Sequence, residues 1–155
     1  MSQIEIGELL YEYTLNITGL TEYGTSLAAL MSGKVIMPPE GARFDVYFEG
    51  PATGAKLNGT VKGVDYLRVR PDGRMELDVH ADITTEDGKK ISLKADGVCI
   101  PRKDSSISDL RENITLFSNY ENYTWLNTLQ VWGIGTVDLA TQIINIKGYS
   151  AWSPY

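Results

Sequence analysis

The chain has 155 residues, enough for a single domain over residues 1–155 that buries its own hydrophobic core. Its 14 basic and 20 acidic residues give a net charge of -6, the wrong sign for neutralising nucleic-acid phosphates or binding an anionic membrane. No apolar run approaches the ~20 residues of a membrane-spanning helix, and no secretory signal pattern opens the sequence. We therefore expect a cytoplasmic protein without a nucleic-acid or membrane partner.

Few side chains suit metal or covalent chemistry. Cys99 is the only cysteine, which excludes an intrachain disulfide and a cysteine-rich zinc site and favours a small core residue over a nucleophile. His80 is the only histidine, so one chain cannot form a zinc site with several histidines. The GxSxG, Walker-type and HExxH signatures are absent. We expect neither a metal nor a cofactor.

The chain opens with a stretch that alternates in polarity, which predicts a long, half-buried strand over residues 7–19. Its first face carries Leu9, Tyr11, Tyr13, Leu15 and Ile17. Periodicity does not separate helix from strand over residues 25–41, but Gly33 and the β-branched residues after it favour an interrupted strand. Pro38 and Pro39 then end pairing, because neither can donate a ladder hydrogen bond.

Two further strands are predicted on either side of a glycine- and proline-containing loop. Residues 42–49 alternate cleanly, residues 50–54 read as the loop, and residues 56–64 form the next strand. Gly59 and Gly63 lie on one face of that strand and predict a bulge or tight bend of the kind that curls a sheet into a barrel.

Residues 64–98 predict a three-stranded meander. Asp72-Gly73 and Asp87-Gly88 are turn pairs, because glycine accepts positive φ and aspartate bonds back to its own backbone. The middle strand alternates throughout. Its apolar face carries Leu77, Val79, Ala81 and Ile83, and its polar face carries Glu76, Asp78, His80 and Asp82.

The pattern changes after Arg102. Apolar residues at i, i+4 and i+7 predict one short amphipathic helix within residues 103–123: Leu110, Ile114 and Phe117. A strand-like run then covers residues 123–132, Gly133 to Gly135 break it, and a last strand covers residues 142–152. Together these elements predict a mainly β protein, a closed antiparallel β-barrel of about eight strands with one short helix in its C-terminal half.

The first candidate catalytic group is the pair Asp78 and His80, two apart on one face of the middle strand. If that face points into the barrel, a carboxylate and an imidazole in a dry pocket form an acid/base pair. If it points outward, the same residues are a solvated face, which four adjacent ionisable positions favour because they are costly to bury. Sequence leaves both alternatives open.

Asp65 is the second catalytic candidate. It shares a strand face with Leu67 and Val69, and an acid on an apolar face must find a partner, bind a ligand or have its pKa raised. The alternative is a carboxylate satisfied by turn backbone or by an arginine.

Aromatic side chains supply the candidate ligand contacts. Phenol and indole groups suit a pocket for a flat or apolar ligand, although they are equally ordinary in a barrel core. The residues predicted to bind a ligand are Tyr11, Tyr13, Arg70, Tyr123, Trp125 and Trp132.

Several stretches carry a family resemblance that covers nearly the whole chain. LYEYTLNI, FEGPATGAKLNGTVKGVDYLRVRPDG, LDVHADITTEDGKKISLKADGV and YTWLNTLQVWGIGTVD resemble the family called domain of unknown function 3237. The resemblance implies a β-barrel similar in outline to the allene oxide cyclase and dirigent barrels. It also implies that Asp65 and Asp78 are family positions, whereas many relatives carry arginine in place of His80.

The leading functional hypothesis is a barrel that binds a small apolar or aromatic molecule and catalyses a cofactor-free isomerisation, cyclisation or lyase step. Such barrels fix a substrate conformation and offer one acid and one base in a water-poor lumen. The alternatives are a non-catalytic carrier or sensor, and a structural, self-associating barrel whose lumen is filled. A homodimer is compatible with each.

Overall fold

The computed structural model describes residues 2–3 and 7–150, and it forms a closed antiparallel barrel of eight strands, as predicted. The strands are β1 (Glu8–Glu22), β2 (Ala42–Thr53), β3 (Gly59–Val69), β4 (Met75–Thr85), β5 (Lys90–Pro101), β6 (Ile107–Phe117), β7 (Val131–Asp138) and β8 (Ile143–Ser150). A short helix α1 (Leu27–Met31) follows β1, and a 3₁₀ helix (Glu121–Thr128) follows β6. None of the helices described is long and apolar enough to cross a membrane.

Each strand pairs with its neighbour in sequence, and β1 closes the barrel against β8. The connections after β1, β3, β5 and β7 therefore lie at one end of the barrel, here called the open end. Those after β2, β4 and β6 lie at the other, the closed end, where Leu57 and Leu126 are fully buried and fill the interior. Side chains alternate along each strand between the lumen and the outer surface.

The meander is confirmed. β3, β4 and β5 pair in order, and Gly73 (φ 92°) and Gly88 (φ 81°) adopt the positive φ that their turns require. The strands predicted over residues 56–64 and from residue 64 onward are one continuous strand, β3. The loop predicted over residues 50–54 is wrong for most of its length, because β2 runs to Thr53 and pairs with the start of β3.

The interrupted strand predicted over residues 25–41 is wrong, because α1 forms there. The Ser26 hydroxyl accepts a hydrogen bond from the Ala29 amide (3.1 Å) and caps the helix start. Glu22 adds a second acceptor, since its carboxylate takes the Leu27 amide hydrogen bond at 2.7 Å. Gly33 (φ 75°) follows the helix end. Capping side chains outweighed the weak apolar pattern.

The amphipathic helix predicted within residues 103–123 is also wrong, because β6 occupies Ile107–Phe117. Its lumen face follows a period of two: Ser108, Leu110, Glu112, Ile114 and Leu116 are buried. Glu112 interrupts the apolar alternation, and Phe117, which completed the helical spacing, is 54% exposed. The buried Glu112 thus interrupted the apolar alternation of the strand, and the remaining apolar residues matched a helical spacing.

The C-terminal third differs in two further places. The short helix expected in this half of the chain exists as the 3₁₀ helix, so the strand predicted from residue 123 to 132 is wrong in its first part. Gly133 and Gly135 lie inside β7 and do not break it. The last strand is confirmed to Ser150, and its predicted residues 151–152 lie outside the described residues.

Gly97 is the glycine on which the barrel wall depends most directly. Its φ is 150°, and a Cβ there would overlap the Arg111 carbonyl oxygen of β6. We expect Gly97→Ala to lower the free energy of unfolding by about 3 kcal/mol, measured by urea denaturation. Gly88→Ala is the matched control, since its φ is 81° but open space surrounds it, and it should cost only about 1 kcal/mol. Equal losses in the two variants would contradict this account.

Candidate active site

A cavity of about 120 Å³ occupies the lumen between the filled closed end and the open end. Its walls are apolar for most of their area, and Leu27 and Met31 of α1 cover part of its open end. The apolar residues that line it include Leu15, Ile17, Leu20, Val46, Phe48, Leu67, Met75, Leu77, Val79, Leu110, Val137, Leu139, Ile144 and Ile146. The lumen is neither fully packed nor as large as the ~300 Å³ of a pocket for drug-sized ligands.

The polar groups of this cavity come mainly from the strands β1, β3, β5 and β6. Two of them are carboxyls, Asp65 on β3 and Glu112 on β6. The others are Tyr13, Cys99, Ser108 and, near the open end, Gln142. A carboxyl pair within apolar walls is the feature that distinguishes this lumen from an ordinary barrel core.

Asp65 points into the lumen because it shares the inner face of β3 with Leu67 and Val69, as the sequence predicted. The β3–β4 pairing is interrupted between Asp65 and Arg68, and there the Asp78 amide donates a hydrogen bond to Asp65 Oδ1 at 2.9 Å. Burial raises the pKa of Asp65 to about 7, against the lowering effect of that hydrogen bond. Among the described residues, Oδ2 makes no hydrogen bond, so it is the oxygen left for a ligand.

Glu112 is the second carboxyl, and it is 6% exposed. Burial, followed by the negative charge of Asp65, raises the pKa of Glu112 to about 8. Tyr13 Oη donates to Glu112 Oε1 across a long 3.4 Å hydrogen bond, which lowers that pKa only in part. Gly133 on β7 leaves room for Glu112 and its neighbour Ile114, because a Cβ there would lie 2.8 Å from Ile114 Cδ1, 3.1 Å from the Glu112 Cβ and 3.3 Å from Glu112 Oε1.

Tyr11 and Tyr13 extend this polar group towards the closed end. Their rings stack with centroids 5.6 Å apart, and burial raises the pKa of both phenols, so both stay protonated. Tyr13 lines the cavity. The fully buried Tyr11 hydroxyl has no hydrogen-bond partner within the described part of the chain.

Cys99 is buried, as predicted, and borders the cavity. Burial raises the pKa of its thiol to about 11, although the Ser108 hydroxyl beside it acts in the opposite direction. The thiol therefore remains protonated and is a poor nucleophile.

The structure places Asp78 and His80 on the outer surface of β4. Their side chains are 57% and 46% exposed, and His80 Nε2 lies 3.0 Å from Asp78 Oδ1. The Tyr66 and His80 rings form a T-shaped pair with a centroid distance of 5.5 Å. The solvated alternative is the one observed, so this pair does not face the lumen with Asp65.

Most of the predicted ligand-binding residues also lie away from the cavity. Arg70 is exposed in the turn after β3 and pairs with Asp72 at 2.7 Å. Tyr123 and Trp125 belong to the 3₁₀ helix at the closed end, and Trp132 is 43% exposed on the outer face of β7. Of the predicted set, Tyr13 alone is among the residues that line the cavity.

Comparison with known proteins places the chain by family but not by activity. The family model described as "Protein of unknown function (DUF3237)" matches residues 27–150. The chain belongs to this family. No curated protein sequence matches it significantly.

Solved structures share the DUF3237 fold seen here at low sequence identity. A protein of unknown function from Clostridium acetobutylicum has a TM-score of 0.73 and 20% identity, over 92% of this chain and 96% of that chain. A β-barrel-like protein from Acinetobacter baumannii has a TM-score of 0.73 and 19% identity, over 92% and 93%. A structure described as an enzyme from Penicillium herquei has a TM-score of 0.60 and 18% identity, over 96% and 98%.

Glu112 is the site residue of this DUF3237 chain that sequence reasoning missed. The signal was present, because Leu110, Ile114 and Leu116 flank it at a period of two and predict a strand with one acid on its apolar face. Asp65 was found by the same argument. Within the described ranges, no three His, Cys, Asp or Glu side chains are grouped so as to hold a metal ion.

The carboxyl pair predicts how stability depends on pH. Both groups have a higher pKa in the folded protein (about 7 and about 8) than the ~4 of an unfolded chain. Their stabilising contribution is therefore complete below about pH 4 and is lost as the pH rises through these values.

We expect the wild-type free energy of unfolding, relative to Asp65→Asn/Glu112→Gln, to fall by several kcal/mol between about pH 4 and about pH 9. Urea denaturation followed by tryptophan fluorescence measures it. Glu49→Gln, on the outer face of β2, is the control and should keep the wild-type slope. A wild-type curve parallel to that of the double variant would show that the two carboxyls are not held in protonated form.

Proposed function

We propose that this barrel is a cofactor-free proton-transfer enzyme that isomerises, cyclises or eliminates from a small apolar or aromatic compound held in the lumen. The observation that carries the proposal is the pair of carboxyls, Asp65 and Glu112, that lines a cavity with mostly apolar walls. Two carboxyls that titrate near neutral pH suit general acid–base catalysis, which is most efficient when the catalytic pKa is close to the working pH.

Asp65 is assigned as the base. The Asp78 amide holds its Oδ1, which orients the carboxylate and leaves Oδ2 to take a proton from the substrate. The same hydrogen bond favours the ionised form of Asp65, whereas the charge of Asp65 disfavours ionisation of Glu112. The environments of the two groups thus push them towards different protonation states.

Glu112 is assigned as the acid. A carboxylic acid kept neutral by apolar surroundings can donate a hydrogen bond or a proton to a substrate oxygen, a pattern known from enzymes that stabilise enolates. Tyr13 supports it through its hydrogen bond to Oε1. We propose that Tyr13 keeps the carboxyl turned towards the cavity.

One proton-transfer cycle illustrates the chemistry. Asp65 Oδ2 takes a proton from the carbon next to a carbonyl group, the C–H electron pair forms a C=C bond, and the carbonyl oxygen takes the Glu112 proton to give an enol. When the substrate carries a C=C bond at its β and γ carbons, this enol is a conjugated dienol. Return of the proton from Asp65 to the γ-carbon, and of the enol proton to Glu112, moves the C=C bond next to the re-formed C=O bond and restores both groups. The steps need no electron acceptor.

Two observations bear on the alternatives. The Penicillium herquei structure is described as an enzyme, which supports the view that this fold can carry catalysis. At 18% identity, its similarity to this chain shows a shared fold and no more. A carrier would use the same cavity but has no need for two acids in it, each of which is costly to bury. The lumen volume of about 120 Å³ argues against a completely filled structural barrel.

Deuterium exchange tests the proposal without knowledge of the natural substrate. In D₂O, cyclohexanone should exchange its α-hydrogens for deuterium faster with the protein present than in buffer alone. The loss of the α-hydrogen signals in proton NMR measures the rate. Asp65→Asn and Glu112→Gln should each slow the protein-dependent exchange by about 10²- to 10⁴-fold, and Tyr13→Phe by about tenfold, the worth of one hydrogen bond.

His80→Gln is the matched control, because His80 lies on the outer face of the neighbouring strand, and it should exchange at the wild-type rate. Undiminished exchange in Asp65→Asn would eliminate Asp65 as the base. Absence of exchange in the wild-type protein, with cyclohexanone demonstrably bound, would favour the carrier.

A further inference from the structure

The charges around the lumen restrict which molecules it can accept. All 14 lysines and arginines fall within residues 7–150, and none of them lines the cavity. The only histidine, His80, lies on the outer surface. The cavity therefore offers no positive side chain to a carboxylate, sulfate or phosphate group, and the ionised form of Asp65 repels one.

A cationic ligand is disfavoured for a different reason. Taking an ammonium group out of water costs several kcal/mol unless close, ionised partners surround it. Asp65 Oδ1 already accepts a hydrogen bond from the Asp78 amide, and Glu112 Oε1 already accepts one from the Tyr13 hydroxyl. Ionising both acids for a cation would also remove the proton that the Glu112 acid supplies.

The volume and the distribution of polar groups define the rest of the ligand. An apolar cavity of ~150 Å³ holds the six carbons of benzene. This cavity measures about 120 Å³, but α1 covers only part of its open end, so a ligand can extend beyond that volume towards α1. Asp65 Oδ2 can accept a hydrogen bond, while Ser108 and the Glu112 carboxyl can donate. Apart from Tyr13, Cys99 and, near the open end, Gln142, the remaining wall is hydrocarbon, including Val46, Leu110 and Ile146.

We infer that the lumen selects an uncharged compound of about six to eight non-hydrogen atoms, cyclic or branched, with a hydroxyl or carbonyl group at one edge. The inference rests on the proposed function for the role of the two carboxyls, but it concerns binding. Selection against charge follows from the composition of the cavity, whether or not turnover occurs.

Matched pairs of probes test the inference by NMR titration near neutral pH. Cyclohexanol is compared with cyclohexylamine, and cyclopentanecarboxamide with cyclopentanecarboxylate, so that shape is kept and charge is changed. The neutral member of each pair should bind at least about tenfold more tightly. Shifts of the Leu110 and Ile146 methyl signals would place it in the lumen.

The double variant Asp65→Asn/Glu112→Gln is the second measurement. The affinities of the double variant for the carboxylate and the carboxamide should be closer to each other, because the charge of Asp65 is gone, and a difference that stays at its wild-type size would overturn the inference. Tighter binding of cyclohexylamine than of cyclohexanol, equal binding of carboxylate and carboxamide, or no binding of any probe would also overturn it. Charge selection without deuterium exchange would instead refute the proposed catalysis alone.

Discussion

Closure of the sheet is the constraint on which everything else in this molecule depends. Pairing of β1 with β8 removes both sheet edges and divides every strand into a lumen face and a solvent face. A residue's chemistry is then set by whether its position is odd or even along its strand. Asp65 and Asp78 have the same side chain, yet one is a carboxyl in an apolar cavity and the other is a solvated surface acid.

The lumen carries its two acids because the surrounding backbone accommodates them. The interruption of β3–β4 pairing frees an amide for Asp65, and Gly133 leaves space beside Glu112. Gly97 lies on β5, where it pairs with Leu77 of β4 on one side and with Glu112 of β6 on the other. Departures from regular sheet structure thus cluster around the carboxyl pair, where a ligand would meet them.

The sequence predicted the barrel, its meander and the inward position of Asp65, because period-two alternation and Asp-Gly turns are local signals. It did not predict β6, since Glu112 on the apolar face broke the alternation and left a helical spacing in its place. It also left open which way Asp78 and His80 point, because alternation separates the two faces of a strand without saying which face lines the lumen. The sequence did not predict α1, because its five residues have no clear hydrophobic period and capping by Ser26 and Glu22 makes them helical.

The failure at Glu112 and its chemical interest have the same origin. Leucine or valine at the position of Glu112 would make the fold more stable, since burying an unpaired acid costs free energy. Asp65 is likewise an acid on the apolar face of its strand. Asp65 lies on the inner face of β3 and Glu112 on the inner face of β6, and β4 and β5 separate these two strands. Two independent violations that meet in one small cavity are better explained by a shared task than by chance. Under the proposed function, that task uses what the cavity offers, which is two carboxyls within mostly apolar walls.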